Sequence, residues 1–411
     1  MINLHCFTPT SAARLPTDSG VLDGVRIAVK DLIAITGHTS SFGHQRWRAT
    51  HKPARHDAPI VSRLRAAGGE IIGTTKMDQL AYSLVGNAGE GVPPMNPFDA
   101  GSYCAGSSSG SASAVAGGLA DLGVGSDTAG SIRAPAAACG LFGHRPTHGL
   151  VETAGVLPLA RSFDVVGFLA RDPELLRRAL DVAAPSRPVG PAPVRILFPD
   201  DIWATQSPRD EAAARSMSVR IGQALDVEVV ASPMSRLVDP AAGELLARLQ
   251  SREIWDQHST WVTNNIESLA DDVQARLRTC QSLAADSSDA SQLDQAARAR
   301  YVSALSRSIP AGAIAIMPVW SRRGPRLAWT AAELLDFRRA AFQLAAPCTL
   351  GGGSQIVIPT VHDSWYTPLG LIGAPHSDDM LIDIAITLST DTASRWRPEM
   401  PASTSPTTVT T

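Results

Sequence analysis

Short apolar runs alternate along this chain with longer stretches of helical period. Residues 22 to 36, L-D-G-V-R-I-A-V-K-D-L-I-A-I-T, open with a turn at Asp23-Gly24 and continue as a run rich in β-branched residues. That pattern predicts a buried strand ending near Lys30. Ile60, Val61, Leu64 and Ala67 recur at helical spacing, so residues 57 to 68 predict a helix closed by Gly68-Gly69. E-I-I-G-T-T then predicts a second buried strand. Strand, helix, strand in that order implies parallel pairing in an α/β protein.

The later pattern continues in the same style. D-P-E-L-L-R-R-A-L-D-V-A at 172 to 183 predicts a helix, and the four prolines of 184 to 193 predict an external connection. R-I-L-F-P predicts a strand. Residues 209 to 307 read as mostly helical, with a polar break at 284 to 291. A-I-A-I-M-P predicts a strand before a helix around 330 to 346, and Q-I-V-I-P and P-L-G-L-I-G predict two more strands. The closing P-A-S-T-S-P-T-T-V-T-T has almost nothing to bury and predicts a disordered tail. No internal repeat is visible.

Composition narrows the function classes. Of 411 residues, 44% are apolar and 18% charged, a globular balance. The net charge of -3 supplies no basic footprint, which argues against nucleic acid as a partner. No run approaches the ~20 apolar residues of a membrane helix, and M-I-N-L-H-C-F-T-P-T lacks the pattern of a signal peptide. Cys6, Cys104, Cys139, Cys280 and Cys348 are odd in number and scattered, which fits reduced thiols in a cytoplasmic setting better than disulfides or a zinc site.

Only three of the 36 basic residues are lysines: Lys30, Lys52 and Lys76. Arginine stays protonated, whereas a buried lysine can lose its proton and act as a general base. Lys30 closes an apolar strand and is a candidate for that role; snorkelling to the surface or pairing with Asp31 is the plainer alternative. Lys76, which also follows a strand, competes with it, and Lys52 lies in a polar, surface-like stretch.

From 101 to 140 the chain holds nine glycines and eight serines. A-G-S-S-S-G-S-A-S-A-V at 105 to 115 has three readings. A flexible linker fits poorly, because apolar and helix-forming residues follow at once. G-S-S-S-G formally matches a nucleophile elbow centred on Ser108, but the preceding residues are turn-rich. The third reading needs the later segment G-S-D-T-A-G-S-I-R-A-P. Its small residues allow consecutive N–H groups to converge on an anion, and Ser131 at its end could attack a carbonyl. A tight turn between packed elements is the alternative there.

Together these pieces resemble the amidase signature family. The carrying motifs are V-A-V-K-D with Lys30, A-G-S-S-S-G-S-A-S-A-V-A-G-G with Ser107, and G-S-D-T-A-G-S-I-R-A-P with Ser131, 24 residues after Ser107. G-L-F-G-H-R-P-T-H-G, S-F-D-V-V-G-F-L-A-R-D and P-L-G-L-I-G-A-P-H-S-D-D-M-L extend the likeness from about residue 20 to about 390. The resemblance implies an α/β fold with a central mixed sheet covered by helices on both faces. It further implies a single domain at 21–390, preceded by an extension at 1–20 and followed by the tail at 391–411.

It also implies roles. Ser131 is the nucleophile; Ser107, after a cis peptide bond from Gly106, relays its proton to Lys30. The N–H groups of Thr128, Ala129, Gly130 and Ser131 form the oxyanion hole, Ser108 and Asp127 support the site, and Arg133 is structural. No metal or cofactor is implied. The partner is a small amide, without nucleic acid or membrane, and a homodimer is compatible with the pattern. The chemistry is amide hydrolysis through an acyl-enzyme; transfer of the acyl group to an amine and a non-catalytic scaffold are the alternatives.

Several residues depart from the family pattern. Ala129 stands in a glycine place, Gln79 where a carboxylate is common, Lys76 where asparagine is common, and His144-Arg145 in place of Leu-Lys. S-F-G-H-Q-R-W at 41 to 47 and Q-S-R-E-I-W-D-Q-H-S-T-W at 250 to 261 look most like the indole-3-acetamide hydrolase branch. That likeness points to small amides, aromatic or indolyl ones among them.

Overall fold

In the computed structural model, which describes residues 3–286, 288–321 and 324–390, β1 (Arg26–Lys30) runs between β2 (Glu70–Thr75) and β3 (Leu122–Asp127) as the middle of three parallel strands. The sheet continues through β4 (Phe142–Arg145), β5 (Val165–Ala170), β6 (Arg195–Phe198), β7 (Glu228–Ala231), β8 (Ala313–Pro318), β9 (Ser354–His362) and β10 (Trp365–Gly373). Across its ten strands the order is β2-β1-β3-β5-β4-β9-β10-β8-β6-β7. The β3–β5, β5–β4, β4–β9, β9–β10 and β10–β8 pairs are antiparallel, and β8–β6–β7 returns to parallel pairing. This is the mixed α/β sheet that the motifs imply.

Every residue of β3, β5 and β8 is buried. Strands of that kind need cover on both faces, and their sequences are therefore continuous apolar or small runs with no alternation. The helix Ser109–Ala116 packs on β1, β3 and β5, while Pro173–Ala183 packs on β5. At the β2 edge, Phe7 and Arg14 make antiparallel bridges to Thr75 and Ile71. The segment before residue 20 thus covers strand groups that would otherwise be open.

Four strands differ from the pattern-based reading, β4 and β5 among them, which lie in stretches given no strand reading. β7 lies inside the stretch read as helical; E-V-V-A is a short edge strand, too brief to outweigh the helical signal around it. β3, L-G-V-G-S-D, carries two glycines and was not legible as a strand, because its burial comes from its neighbours. The helix read at 330 to 346 runs Ala331–Gly351, opened by a capping box between Thr330 and Glu333. Residues 391–411, read as a disordered tail, lie outside the described residues. Among the described residues no helix is long and apolar enough to cross a membrane.

Candidate active site

β1 and β3 are neighbours, so their carboxyl ends place Lys30 beside Ser126 and Asp127. Lys30 has no solvent exposure. Its Nζ lies 2.8 Å from Ser107 Oγ, 2.9 Å from Ser126 Oγ and 3.5 Å from the Ser126 carbonyl. Burial pushes the Lys30 ammonium down to about 7, although Asp78, Asp127 and Asp164 oppose that shift. A lysine at that value is neutral about half the time near pH 7.

The Gly106–Ser107 peptide bond is cis. A Cβ on Gly106 would fall 1.9 Å from Asp78 Oδ2, so only glycine fits at this crossing. Asp78 is itself buried and accepts the N–H groups of Gly86 and Ala88 at 3.0 and 2.9 Å. Burial raises its carboxyl, and those two N–H bonds offset part of the rise. Asp78 N–H donates to the Ser107 carbonyl at 3.3 Å, which ties the two loops together.

Immediately after Ser107 the chain enters the helix Ser109–Ala116. Ser108 Oγ donates to the Ser126 carbonyl at 3.3 Å and is fully buried, and no strand precedes it. The nucleophile-elbow reading of Ser108 therefore loses its geometry. Ser111 Oγ donates to the Val124 carbonyl and meets Thr75 Oγ1, while Ser113 Oγ donates to the Met95 carbonyl. The serine-rich stretch is a helix of small side chains, with Ser108, Ser111 and Ser113 hydrogen-bonded, that packs closely on β1 and β3.

β3 leads through residues 128–132 into the helix Arg133–Cys139, and Ser131 sits in that loop, 4% exposed. Ser131 Oγ makes no hydrogen bond among the described residues. Lys30 and Ser107 are thus hydrogen-bonded to each other, and Ser107 and Ser131 are not.

The loop's N–H groups divide. Gly130 N–H donates to Asp127 Oδ1 at 2.8 Å, so it differs from its reading as an oxyanion donor. The N–H groups of Thr128, Ala129 and Ser131 have no acceptor among the described residues, which leaves three donors free to bind an oxyanion. Gly130 needs to be glycine because its φ is +117°. Ala129 does not adopt positive φ, so its Cβ brings no backbone strain.

Asp127 organises the loop from below. It accepts N–H from Ile132 and Arg133 at 3.0 and 3.3 Å, the Arg133 guanidinium at 3.0 and 2.8 Å, and Arg145 Nη1 at 3.0 Å. Burial alone would raise this carboxyl, but Arg133 and Arg145 hold it far below the ordinary carboxylate range. Arg133 reaches on to Gln355 and Thr349, so it joins the loop to β9 and to the Ala331–Gly351 helix.

The departures from the family pattern find structural partners. Gln79 Oε1 accepts from Ala270 N–H at 2.8 Å, and Lys76 Nζ donates to the Val92 carbonyl at 2.8 Å. His144 pairs with Asp378 and Ser354. Four residues of the site carried no assigned role from sequence: Ser126 on Lys30, Asp78 behind Gly106, Asp164, which accepts Thr128 Oγ1 at 2.6 Å, and Gln250, which donates to the Thr128 carbonyl at 3.4 Å. Ser126 and Asp164 stand inside the motifs that carry the family likeness, so their positions were a usable signal; Gln250 opens the quoted segment at 250 to 261, but nothing in that segment signals its bond to Thr128.

The two segments that carry the indole-like pattern meet in an aromatic cluster. Trp47 stacks on His51 at 4.0 Å and lies 5.0 Å from Trp261, and Phe42 lies 5.5 Å from His258.

The family model for Amidase matches residues 10–255. Amidase 1 of Oryza sativa subsp. japonica is 31% identical over 396 residues, covering 90% of this chain and 91% of that protein. Translocon at the outer membrane of chloroplasts 64 of Pisum sativum is 29% identical over 399 residues, covering 90% of this chain and 66% of that protein. A solved structure described as a crystal structure of amidase superposes with a TM-score of 0.77 at 26% identity, over 90% of this chain and 85% of that one.

Proposed function

The chain belongs to the amidase signature family of amide-hydrolysing enzymes, and from that premise we propose that it cleaves small carboxamides through a Ser131 acyl-enzyme with a Ser107–Lys30 proton relay. The observation that carries this reading is the fully buried Lys30 amine 2.8 Å from Ser107 Oγ. In its neutral form the amine has a lone pair for the Ser107 proton and two N–H groups for Ser126 Oγ and the Ser126 carbonyl.

Each step then balances. Lys30 takes the Ser107 proton as Ser107 takes that of Ser131, and Ser131 Oγ bonds to the carbonyl carbon. The N–H groups of Thr128, Ala129 and Ser131 hold the developing oxyanion. The proton returns from Lys30 through Ser107 to the leaving nitrogen as the C–N bond breaks. Water repeats the attack on the ester, releasing the acid and restoring Ser131.

For the substrate, the aromatic segments around Trp47 and Trp261 support aryl or indolyl amides as the first class to try. A reducing cytoplasmic setting fits the five unpaired, buried cysteines. The relative named as a translocon component carries a similar sequence into a different role, so the intact Lys30, Ser107 and Ser131 weigh more here than membership alone. The deciding experiment measures ammonia, amine and acid release across aryl, alkyl and indolyl amides with competing amines added. Acid release identifies the hydrolase, a new amide product identifies acyl transfer, and no turnover of any amide refutes the reading.

A further inference from the structure

We propose that the recess beside Tyr82 binds a carboxylate on the substrate, with the Arg338 and Arg276 guanidinium groups as its counter-charges; this rests on the amide-hydrolysis reading above and specifies its substrate. Arg338, on the helix Ala331–Gly351, makes no hydrogen bond or ion pair among the described residues. Its Cζ lies over two rings, 5.7 Å from the Tyr82 centroid and 5.8 Å from that of Phe342. Its Nε is buried without a partner.

Arg276, on the helix Asp271–Ala284, flanks the same ring at 5.2 Å. It donates to the Tyr82 carbonyl at 2.6 Å and to Asp272 at 2.8 Å, and its own Nε is again buried without a partner. Asp272, its side chain 50% exposed, thus pairs with Arg276 alone and leaves Arg338 without a bonded carboxylate among the described residues. Burial and the neighbouring Arg276 push Arg338 down to about 10, the direction expected of a cation lacking its anion. Guanidinium groups offer paired N–H donors whose geometry matches a carboxylate. A small anion would supply both the missing acceptors and the missing charge.

The recess adjoins the reacting centre by three routes. Two residues after Tyr82, the Leu84 carbonyl accepts Gly106 N–H at 3.0 Å, one residue before the relay serine. Tyr82 Oη is 3.6 Å from Cys280 Sγ, which neighbours Ser251, and the adjacent Gln250 donates to Thr128 of the oxyanion loop. Leu84, Gly130, Ala341 and Leu344 line one small cavity beside the oxyanion loop. Ala341 follows Arg338 by about one helical turn, which places the arginine next along the helix Ala331–Gly351 from a residue that lines the cavity.

A brace of cations on an aromatic ring is the competing account, and paired substrates separate the two. We would measure kcat/KM for succinamate, glutaramate and an N-acylglycine, each beside its methyl ester, in wild type, Arg338→Gln and Arg338→Lys. A charged hydrogen-bond partner predicts that wild type prefers the carboxylate in at least one pair by about tenfold or more. Arg338→Gln should lower that carboxylate-to-ester ratio about tenfold, chiefly through KM, and Arg338→Lys should restore part of it. Equal rates within every pair, or a ratio unchanged by Arg338→Gln, overturns the proposal. Turnover of neutral amides without that preference leaves amide hydrolysis standing and removes only the recess. Binding of the same carboxylates to the full chain carrying Ser131→Ala, read by calorimetry, tests the recess without any turnover: affinity lost with Arg338→Gln supports it, and absence of binding refutes it.

Discussion

Lys30 Nζ lies 2.8 Å from Ser107 Oγ, and neither residue has any solvent exposure. Because burial brings the amine down to about 7, the form able to accept a proton gains population as pH rises through that value. We therefore expect kcat/KM to climb with pH through an apparent midpoint near 7 and then level off. Lys30→Arg keeps the charge and removes the base, so it should cost about 10²–10⁴-fold in kcat. A flat pH–rate profile from acid to alkaline pH would take Lys30 out of its role.

Ser131 Oγ is the one hydroxyl of the proposed triad left without a hydrogen bond among the described residues, in a loop where the N–H groups of Thr128, Ala129 and Ser131 have no acceptor while that of Gly130 is held by Asp127. A fluorophosphonate should label Ser131 and leave Ser107 and Ser108 untouched, since Ser108 is bonded to the Ser126 carbonyl. Ser131→Ala should abolish both labelling and hydrolysis with the circular dichroism spectrum and Tm unchanged. Peptide mapping of the labelled protein decides the point; modification at Ser108 would return the nucleophile to the serine-rich helix.

Much of the parallel half of the sheet was legible because β1, β2 and β8 are continuous apolar runs whose ends are marked by glycine, proline or charge. β3 was not, since L-G-V-G-S-D owes its strand state to β1 and β5 on either side, and a glycine carries no side-chain preference for a sheet. The site divides the same way. Lys30 stood out against an arginine-rich background, and Ser107 and Ser131 stood out through ordered motifs. Which residues meet these motifs, as Asp78 meets Ser107 and as Asp164 and Gln250 meet Thr128, is set by tertiary contacts that no local pattern encodes. The bond from Gly130 N–H to Asp127 is a matter of which way one peptide faces, and only coordinates carry that.

The oxyanion loop offers a test with opposite outcomes at adjacent residues. Gly130 holds φ at +117°, a conformation closed to a residue with a Cβ. Gly130→Ala should force the loop to rearrange, at about 1–3 kcal/mol of strain, and cost on the order of 10²-fold in kcat by misaiming the remaining donors. Ala129→Gly removes a Cβ that makes no conformational demand and should leave kcat within a few-fold of wild type. Single-turnover acylation rates check both, and comparable losses at the two positions would contradict the assigned geometry.

Asp127 supplies the last test, because it is a buried anion between two buried cations, with side-chain contacts of 2.8 Å to Arg133 and 3.0 Å to Arg145. Asp127→Asn keeps the shape and removes the charge, leaving both guanidinium groups uncompensated. A loss of about 3–5 kcal/mol is expected, as for other broken buried pairs. The pH dependence has a definite sign. The folded carboxyl sits far below its ordinary value of 3.8, so its contribution is complete above that value and disappears only as pH falls towards the folded one. The gap between wild type and Asp127→Asn, measured by chemical denaturation, should accordingly be the same at pH 8 and pH 5 and should narrow below about pH 4. A gap that already shrinks between pH 8 and pH 5 would mean that the stability lost with Asp127 does not come from its ionised pairing with Arg133 and Arg145.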